Sequence, residues 1–501
     1  MSFKRQVASG FFWVTLAQLA GRGLSFVTIL ILAKLLAPSM FGLVGMAGLA
    51  IAALQLLQDA GFDAALIQRR DRIDEASYTA FFVTVASGLG IYLVAFLAAP
   101  LVGVFFREPA VVPILRTLAL IIPISSFARV PYALLSRDLN FRRKITPELL
   151  ANIIGSSLAI ALALSGVGVW SLVWGQLTRS ALATIFIWFV TAWRPRLEFN
   201  PALAREMFGY GKHIMSSQGL IFLITNVDNA FVGRYAGQTA LGYYQFAYNL
   251  SNMPATQITS VANHVMFPAF SKLAGEDASQ VRARYYLTTL RYISWITIPI
   301  AVATILFARE FIVGLYGVTW APVIVPLQWL AVYGLIRSLA ANMGSIFRGL
   351  GKPQWLTYIA VWRLITMVLL LYPAIVWNGI VGVSILSVAV AVVDFIISVT
   401  LVGRLVVAPW RAYARMLLPT MALALIAGFI AHSAYPHIPL AKTLLRLIAA
   451  GGLMCALYAG LAWLTDGQFR ETAQRGLGIL RRLRAARHET AAASSELPAQ
   501  R

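Results

Sequence analysis

Charged side chains are scarce in this sequence. Only 12% of its 501 residues are Asp, Glu, Lys or Arg, whereas a soluble globular protein carries about 25%. Hydrophobic residues make up 59% of the chain, and the mean hydropathy is +0.76. Apolar runs of roughly 20 residues, the length that crosses a bilayer as a helix, recur along the whole chain. The composition therefore indicates an all-α polytopic membrane protein.

Cysteine is almost absent. Cys455 is the single cysteine, so an intrachain disulfide is excluded, and the sequence has no spacing typical of a zinc or haem site. Because Cys455 lies within an apolar run, we expect it to be a small buried residue. We expect no resident metal and no cofactor.

Acidic residues are few, and the basic residues are concentrated in the loops on one side of the predicted membrane. The chain has 19 acidic against 41 basic residues, a net charge of +22. Such a charge can indicate nucleic-acid binding, but here 28 basic residues fall in predicted inside segments and five in outside turns. This bias is the positive-inside rule of membrane proteins. It predicts that both termini are cytoplasmic, and it removes the need for a nucleic-acid partner.

We predict 14 transmembrane helices. With both termini inside, the number of spans must be even, which favours 14 over 13. The predicted spans are 10–33, 41–60, 78–103, 112–134, 146–165, 168–192, 211–233, 240–270, 287–308, 323–347, 354–377, 380–403, 414–432 and 443–464.

An internal repeat divides the chain. Lys34 with Gly42 recurs as Arg234 with Gly242, at an offset of 200 residues and at equivalent outside turns. Duplicated lobes are typical of transporters, whose site lies between the lobes and opens alternately to each side. The sequence thus predicts two six-helix lobes, two appended helices and a basic tail: 1–205, 206–410, 411–465 and 466–501.

The stretch 226–273 carries the most distinctive polar pattern. It has an apolar run containing Asp228, a turn at Tyr235–Gly237 and a long second run. Polar residues recur along that second run at spacings of three and four, which places them on one face of a helix. They are Gln245, Asn249, Asn252, Thr256, Thr259 and Asn263. Such a face indicates a wet cavity, although hydrogen bonding between helices also accounts for single members.

Several motifs resemble those of one family. DAGFDAALIQRRD at 59–71 and NVDNAFVGRYAG at 226–237 are two examples. Further matching stretches lie at 131–143, 166–177, 193–199, 241–250 and 265–273. Over roughly residues 1–410 the chain resembles the oligosaccharide flippases and polysaccharide transporters, close to the colanic-acid and exopolysaccharide exporters of the multidrug/oligosaccharidyl-lipid/polysaccharide superfamily.

The resemblance implies a 12-plus-2 helix bundle in a bacterial inner membrane. It implies that an undecaprenyl-pyrophosphate-linked oligosaccharide is flipped across that membrane for exopolysaccharide, capsule or O-antigen synthesis. The expected partners are this polyprenyl-pyrophosphate-linked oligosaccharide, membrane lipids, and a polysaccharide polymerase with its chain-length machinery. The family supplies no sharply defined catalytic motif, so residue roles must come from their chemistry.

A pyrophosphate cargo needs cations in a water-filled cavity. Arginine suits this role because its guanidinium binds two phosphate oxygens at once and stays charged. A charge at the centre of a spanning helix costs about 2.5–3.5 kcal/mol, so central arginines need an explanation. Arginines near a predicted span end can snorkel to the interface, and these are Arg116, Arg129, Arg291 and Arg446. The central ones are the candidate pyrophosphate ligands: Arg22, Arg179, Arg337 and Arg363.

Amides and hydroxyls in the spans suit sugar hydroxyl groups, because they both donate and accept hydrogen bonds. Gln18 shares a helix face with Arg22. The candidate glycan-binding residues are Gln18, Gln245, Asn249, Asn252, Thr256 and Asn263.

Two acidic residues lie well inside the lobe spans: Asp228 and Asp394. Four central arginines against two acids leave a positive surplus, which favours an anion carrier over a cation-drug antiporter. Asp228 is the better candidate for coupling transport to a proton or sodium gradient. It could instead pair with an arginine, and Asp394 could pair with Arg363.

Other functions fit the sequence less well. A polytopic polymerase or ligase would need a sizeable outside loop, whereas the outside turns here are short, and no nucleophile–base constellation is present. We therefore expect no enzymatic activity. A flippase for the lipid-linked peptidoglycan precursor and a cation-drug antiporter of the same superfamily remain the alternatives.

Overall fold

A computed structural model describes residues 20–21, 23–58, 61–272, 279–340, 343–406, 409–475 and 478, without the side chains of 210–217, 254–269, 271, 272 and 279. Within these ranges the regular structure is helical. The helices are α1 (Gly23–Leu35), α2 (Pro38–Gln58), α3 (Phe62–Gln68), α4 (Ile73–Phe106), α5 (Val111–Leu118), α6 (Ile121–Arg137), α7 (Phe141–Leu164), α8 (Val169–Val190), α9 (Pro201–Lys272), α10 (Ser279–Leu306), α11 (Ala308–Tyr316), α12 (Ile324–Ala340), α13 (Met343–Gly349), α14 (Gln354–Val406), α15 (Trp410–Ala434), α16 (Thr443–Thr465) and α17 (467–475).

Ten stretches of the described chain are long and apolar enough to cross a membrane, judged by length and composition. Their outer faces are apolar as well: on α4, Leu101 is 71% exposed and Val104 is 73% exposed. Large exposed apolar surfaces of this kind mark contact with lipid or a partner. The polytopic helical fold is confirmed, and the total of 14 spans stays a prediction.

Two of the long helices are interrupted where the sequence predicts turns. In α9 the backbone leaves helical geometry at Gly237, with φ 86° and ψ 177°. In α14 it does so at Asn378 and Gly379, and Gly379 has φ 53° and ψ −136°. A side chain at either glycine would be strained in these conformations, so glycine permits the interruption. The break at Gly237 lies within the predicted turn Tyr235–Gly237.

The chain divides into two compact units. Unit 1 comprises Met1–Leu250, Tyr316–Leu330 and Gln354–Asp394, and unit 2 comprises Ser251–Leu315, Ala331–Pro353 and Phe395–Arg501. These units rest on contacts within the chain, whereas the predicted lobes rest on the repeat, and the lobe boundaries stay a prediction.

Each unit has an apolar core of its own. In unit 1, Phe62, Phe81 and Leu203 belong to one buried cluster, against which Trp188 packs. In unit 2, α10, α15 and α16 meet in a cluster that is rich in small residues on α15, where Ala424, Ala427 and Ala431 are fully buried. Small side chains let helix backbones approach closely, as is usual in membrane bundles.

The prediction that Cys455 is buried is wrong. The structure places this residue on an exposed face of α16. An apolar run does not reveal which of its faces packs against protein, because lipid-facing positions are equally apolar.

Within unit 1, α2 and the second segment of α9 cross very closely. A Cβ atom on Gly42 would overlap the carbonyl oxygen of Gln238, and one on Gly242 would overlap that of Pro38. The repeat offset of 200 relates Gly42 to Gly242 and Pro38 to Gln238. The two contacts are therefore equivalent halves of one symmetric crossing, and the sequence repeat coincides with it.

The crossing predicts a stability effect. We expect Gly42→Val and Gly242→Val each to lower the free energy of unfolding by about 1–3 kcal/mol, the usual cost of overpacking a tight contact. Thermal unfolding of the purified protein in detergent measures this. Gly48→Val is the matched control on α2, because no atom lies within 4 Å of a Cβ built there. Equal melting midpoints for all three variants would contradict the close crossing.

Candidate functional site

The break at Gly237 brings Asp228 opposite Tyr244. An uninterrupted helix would separate residues 16 positions apart by about 24 Å. Instead, the Tyr244 hydroxyl donates a hydrogen bond to Asp228 Oδ2 at 2.8 Å. The chain therefore folds back at the turn, so that the two segments of α9 face each other within unit 1.

Asp228 is buried and its carboxylate is well satisfied. The residue is 6% exposed. Its Oδ1 atom accepts a hydrogen bond from the backbone N–H of Asn229 at 2.8 Å and one from the Asn229 carboxamide at 3.3 Å. Tyr244, which is fully buried, also lies next to the Ser387 side chain of α14. Asp228 thus belongs to a polar cluster that links α9 and α14.

The break at Asn378 and Gly379 assembles a second pair. Arg363 and Asp394 lie on the two segments of α14, and Arg363 Nη1 is 3.9 Å from Asp394 Oδ2. Their side chains are 20% and 18% exposed. The sequence left two possibilities open for Arg363, a pyrophosphate ligand or an ion-pair partner of Asp394. The ion pair with Asp394 is present in the structure.

Arg363 also attracts the second acid. The positive charge of its guanidinium attracts the Asp228 carboxylate as well as the Asp394 carboxylate. The other carboxylate oxygen of Asp394, Oδ1, is buried and has no hydrogen-bond partner among the described residues. Two carboxyl groups, one guanidinium and the Tyr244 hydroxyl therefore form the polar centre of unit 1. The centre contains one acid more than it has arginines.

The described residues contain no cluster of three or more His, Cys, Asp or Glu side chains that could hold a metal ion.

Arg179 lies elsewhere in unit 1. It is on α8, where its Cβ atom would be 2.8 Å from a side chain built at Gly155 of α7. Its charge is attracted by Glu148, near the start of α7. The structure therefore gives this arginine an acidic neighbour that the count of central acids left out.

Arg337 and Asn252 belong to unit 2. The Arg337 guanidinium stacks 5.7 Å from the ring centroid of Tyr333, an arrangement that favours a cation over an aromatic face. Asn252 is 4% exposed, and neither atom of its carboxamide has a hydrogen-bond partner among the described residues. A buried amide in this state can bind a polar ligand group.

The remaining candidate glycan-binding and pyrophosphate-binding residues differ in their surroundings. The Gln245 carboxamide packs on α2 at Gly45, where any side chain would overlap it. Asn249 is exposed. Gln18 and Arg22 lie outside the described residues, and so do the side chains of Thr256 and Asn263.

Sequence reasoning missed Tyr244 and Ser387. The signal for Tyr244 was present, because two helices joined by a tight turn place residues equally distant from that turn side by side. Asp228 is eight residues before Ala236, the middle of the turn, and Tyr244 is eight residues after it. Ser387 carried no such signal, since its position depends on how α14 packs against α9.

The chain matches known proteins over most of its length. The family described as "Polysaccharide biosynthesis protein" matches residues 31–325. The teichuronic acid biosynthesis protein TuaB of Bacillus subtilis (strain 168) is 25% identical over 411 residues, covering 81% of this chain and 84% of TuaB. The succinoglycan biosynthesis transport protein ExoT of Rhizobium meliloti (strain 1021) is 27% identical over 473 residues, covering 91% and 92% of the two chains.

A solved structure shares the fold. The lipid II flippase MurJ in an inward closed conformation superposes with a TM-score of 0.73, covering 92% of this chain and 100% of MurJ at 12% identity. At this identity the likeness concerns the fold alone. Because the family match spans more than half of the chain, this protein belongs to the polysaccharide biosynthesis protein family.

Proposed function

We propose that this protein flips undecaprenyl-pyrophosphate-linked oligosaccharide repeat units across the bacterial inner membrane, for exopolysaccharide, capsule or O-antigen synthesis. The observation that carries the proposal is the match to the succinoglycan transport protein over 91% of the chain, within the same family. The flipped repeat unit would then pass to a polymerase and its chain-length machinery. Both termini lie in the cytoplasm in this proposal, as the positive-inside bias requires.

The flipping mechanism is alternating access between two lobes, 1–205 and 206–410, with 411–465 as added helices and 466–501 as a cytoplasmic tail. The symmetric crossing of Gly42 and Gly242 supports this division, because it joins equivalent turns of the two repeats. Both turns are on the outside in the proposed topology. The crossing would close the outer side while the cavity is open to the cytoplasm, and it would separate when the cavity opens outward.

The pyrophosphate is held by Arg22, Arg179, Arg337 and Arg363 in this proposal. Arg337 has the strongest structural support, since it stacks on Tyr333 in the unit that also contains the open Asn252 carboxamide. Arg363 shares its charge between two acids, so it would bind phosphate only after exchanging Asp394 for the cargo. The glycan would be contacted by the candidate glycan-binding residues Gln18, Gln245, Asn249, Asn252, Thr256 and Asn263.

The arginine proposal is tested by export. A guanidinium that binds phosphate contributes roughly 1.5–3 kcal/mol, so Arg337→Gln should lower the rate of polymer export about tenfold or more. Arg22→Gln, Arg179→Gln and Arg363→Gln are measured beside it, in a host that lacks its own copy. Polymer secreted per cell is compared at equal protein levels in the membrane.

Arg116→Gln is the control for the arginine series. Its guanidinium lies 4.4 Å from the Phe96 ring centroid and donates to the Phe96 carbonyl, which accounts for it without a cargo. Its variant should export normally. Full export by all four single variants and by their combination would refute the cationic cavity.

Coupling to a proton or sodium gradient is placed at Asp228, with Asp394 as the second acid. The buried Asp228–Tyr244 pair supports this placement, because a carboxyl group that binds and releases a cation there would also alter the contact between the two segments of α9.

The coupling proposal predicts a split between two kinds of transport. Asp228→Asn should abolish flipping driven by an imposed gradient in proteoliposomes, while exchange of labelled cargo without a gradient continues. Tyr244→Phe keeps the carboxyl group and should retain gradient-driven flipping. If Asp228→Asn still responds fully to both proton and sodium gradients, Asp228 is not the coupling residue.

A flippase for the lipid-linked peptidoglycan precursor is the second candidate. The fold is compatible with this cargo, since MurJ, a lipid II flippase, superposes over 92% of the chain. Rescue of cells depleted of their own lipid II flippase would support it. A cation-drug antiporter is the third candidate, and drug efflux without polymer export would favour it.

A further inference from the structure

A cavity lies in unit 2. It encloses about 660 Å³ between α10, α15, α16 and α17. This volume falls within the roughly 300–1,000 Å³ that is usual for small-molecule sites. The polar groups on its wall include Arg291 of α10, Arg415 of α15 and Tyr458 of α16.

Specific contacts hold α17 against this cavity. Phe469 packs edge to face on Trp295, with ring centroids 5.0 Å apart. Arg470 donates hydrogen bonds to the carbonyls of Trp463 and Leu464, at 3.0 and 3.2 Å, and so caps the end of α16. Arg291 donates to the side chain of Gln468. The cavity is therefore built from fixed elements.

The cavity wall has an excess of available positive charge. Among the described residues, no carboxylate lies within 4.0 Å of the Arg291 or the Arg415 guanidinium. The two acids of the wall are engaged elsewhere. Asp466 accepts hydrogen bonds from the backbone of Gln468 and Phe469, and Glu471 lies 3.7 Å from Arg475.

A buried donor faces the same space. Tyr458 is 6% exposed, and its hydroxyl has no hydrogen-bond partner among the described residues. Leaving such a group unpartnered is unfavourable, so a ligand oxygen there would stabilise it. The remaining wall is apolar and includes Met416, Pro419 and Leu423. Two cations, a free hydroxyl and an apolar wall suit a phosphate group that is attached to hydrocarbon chains.

We propose that this cavity binds the headgroup of an anionic phospholipid, with Arg291 and Arg415 contacting the phosphate and Tyr458 donating a hydrogen bond to it. In the proposed topology, α16 ends on the cytoplasmic side, so the lipid comes from that leaflet, whose surface is anionic. Basic pockets between membrane helices on this side are suited to such headgroups. The bound lipid would fix α17 against the bundle.

The proposal is tested by native mass spectrometry of the full chain, purified in detergent and titrated with phosphatidylglycerol or phosphatidylcholine. Cargo is left out, so the result does not depend on the transport proposal. The first phosphatidylglycerol should bind about tenfold tighter than phosphatidylcholine, because the choline ammonium offsets the attraction of the phosphate to the two arginines, whereas phosphatidylglycerol carries a net negative charge. Arg291→Gln combined with Arg415→Gln should abolish this preference. Tyr458→Phe should weaken phosphatidylglycerol binding by roughly threefold to tenfold, the value of one hydrogen bond.

Arg411→Gln is the matched control. Arg411 is an exposed arginine in the first turns of the same helix as Arg415, but it does not line the cavity. Its variant should keep the lipid preference, and the melting midpoint of every variant shows whether it is folded. The proposal fails if the double variant keeps the preference or if Arg411→Gln loses it equally. It also fails if inorganic phosphate displaces the lipid at equal concentration, because the site would then belong to a soluble anion.

Discussion

A bilayer offers no water to a buried polar group, and this constraint determines how the protein arranges its charges. A polar group at membrane depth is costly without a partner, so polar side chains there favour contacts inside the protein. Asp228 accepts hydrogen bonds from Tyr244 and Asn229, and Asp394 forms an ion pair with Arg363. Both arrangements span a helix break, at Gly237 in α9 and at Asn378–Gly379 in α14. The breaks let these side chains meet, so charge at membrane depth depends on two short turns.

The same pairing separates two functions within the set of arginines. A guanidinium that is paired with a carboxylate neutralises the charge of that carboxylate. It can bind an anionic cargo only if this ion pair breaks. Arg363 is in this position, and Arg179 has Glu148 as an acidic neighbour. The Arg337 guanidinium stacks on the Tyr333 ring. An anion carrier therefore cannot be recognised from the number of arginines in its spans, because that number does not say which of them already have an acid.

The close crossing at Gly42 and Gly242 gives the internal repeat a mechanical meaning. Each glycine packs directly against a backbone carbonyl of the other repeat. Any larger side chain at these positions would separate the two helices. A contact made of backbone and glycine has no interlocking side chains, so it can open and close without repacking a core. Such a surface suits a contact that alternates, whereas the alanine-rich packing of α10, α15 and α16 suits one that persists.

Hydropathy, loop charge and local motifs depend on neighbouring residues, so the helical membrane class, the family and the turn at Gly237 could be predicted from the sequence. The partners of the polar side chains depend on the fold, which brings together residues that are distant in the sequence. Tyr244 and Ser387 lie beside Asp228, and Arg363 lies beside Asp394. Cys455 lies on an exposed face. Arg291, Arg415 and Tyr458 line one cavity. The physical reason is that lipid-facing and protein-facing positions of a membrane helix are equally apolar. The pattern along one helix therefore cannot say which neighbour it meets.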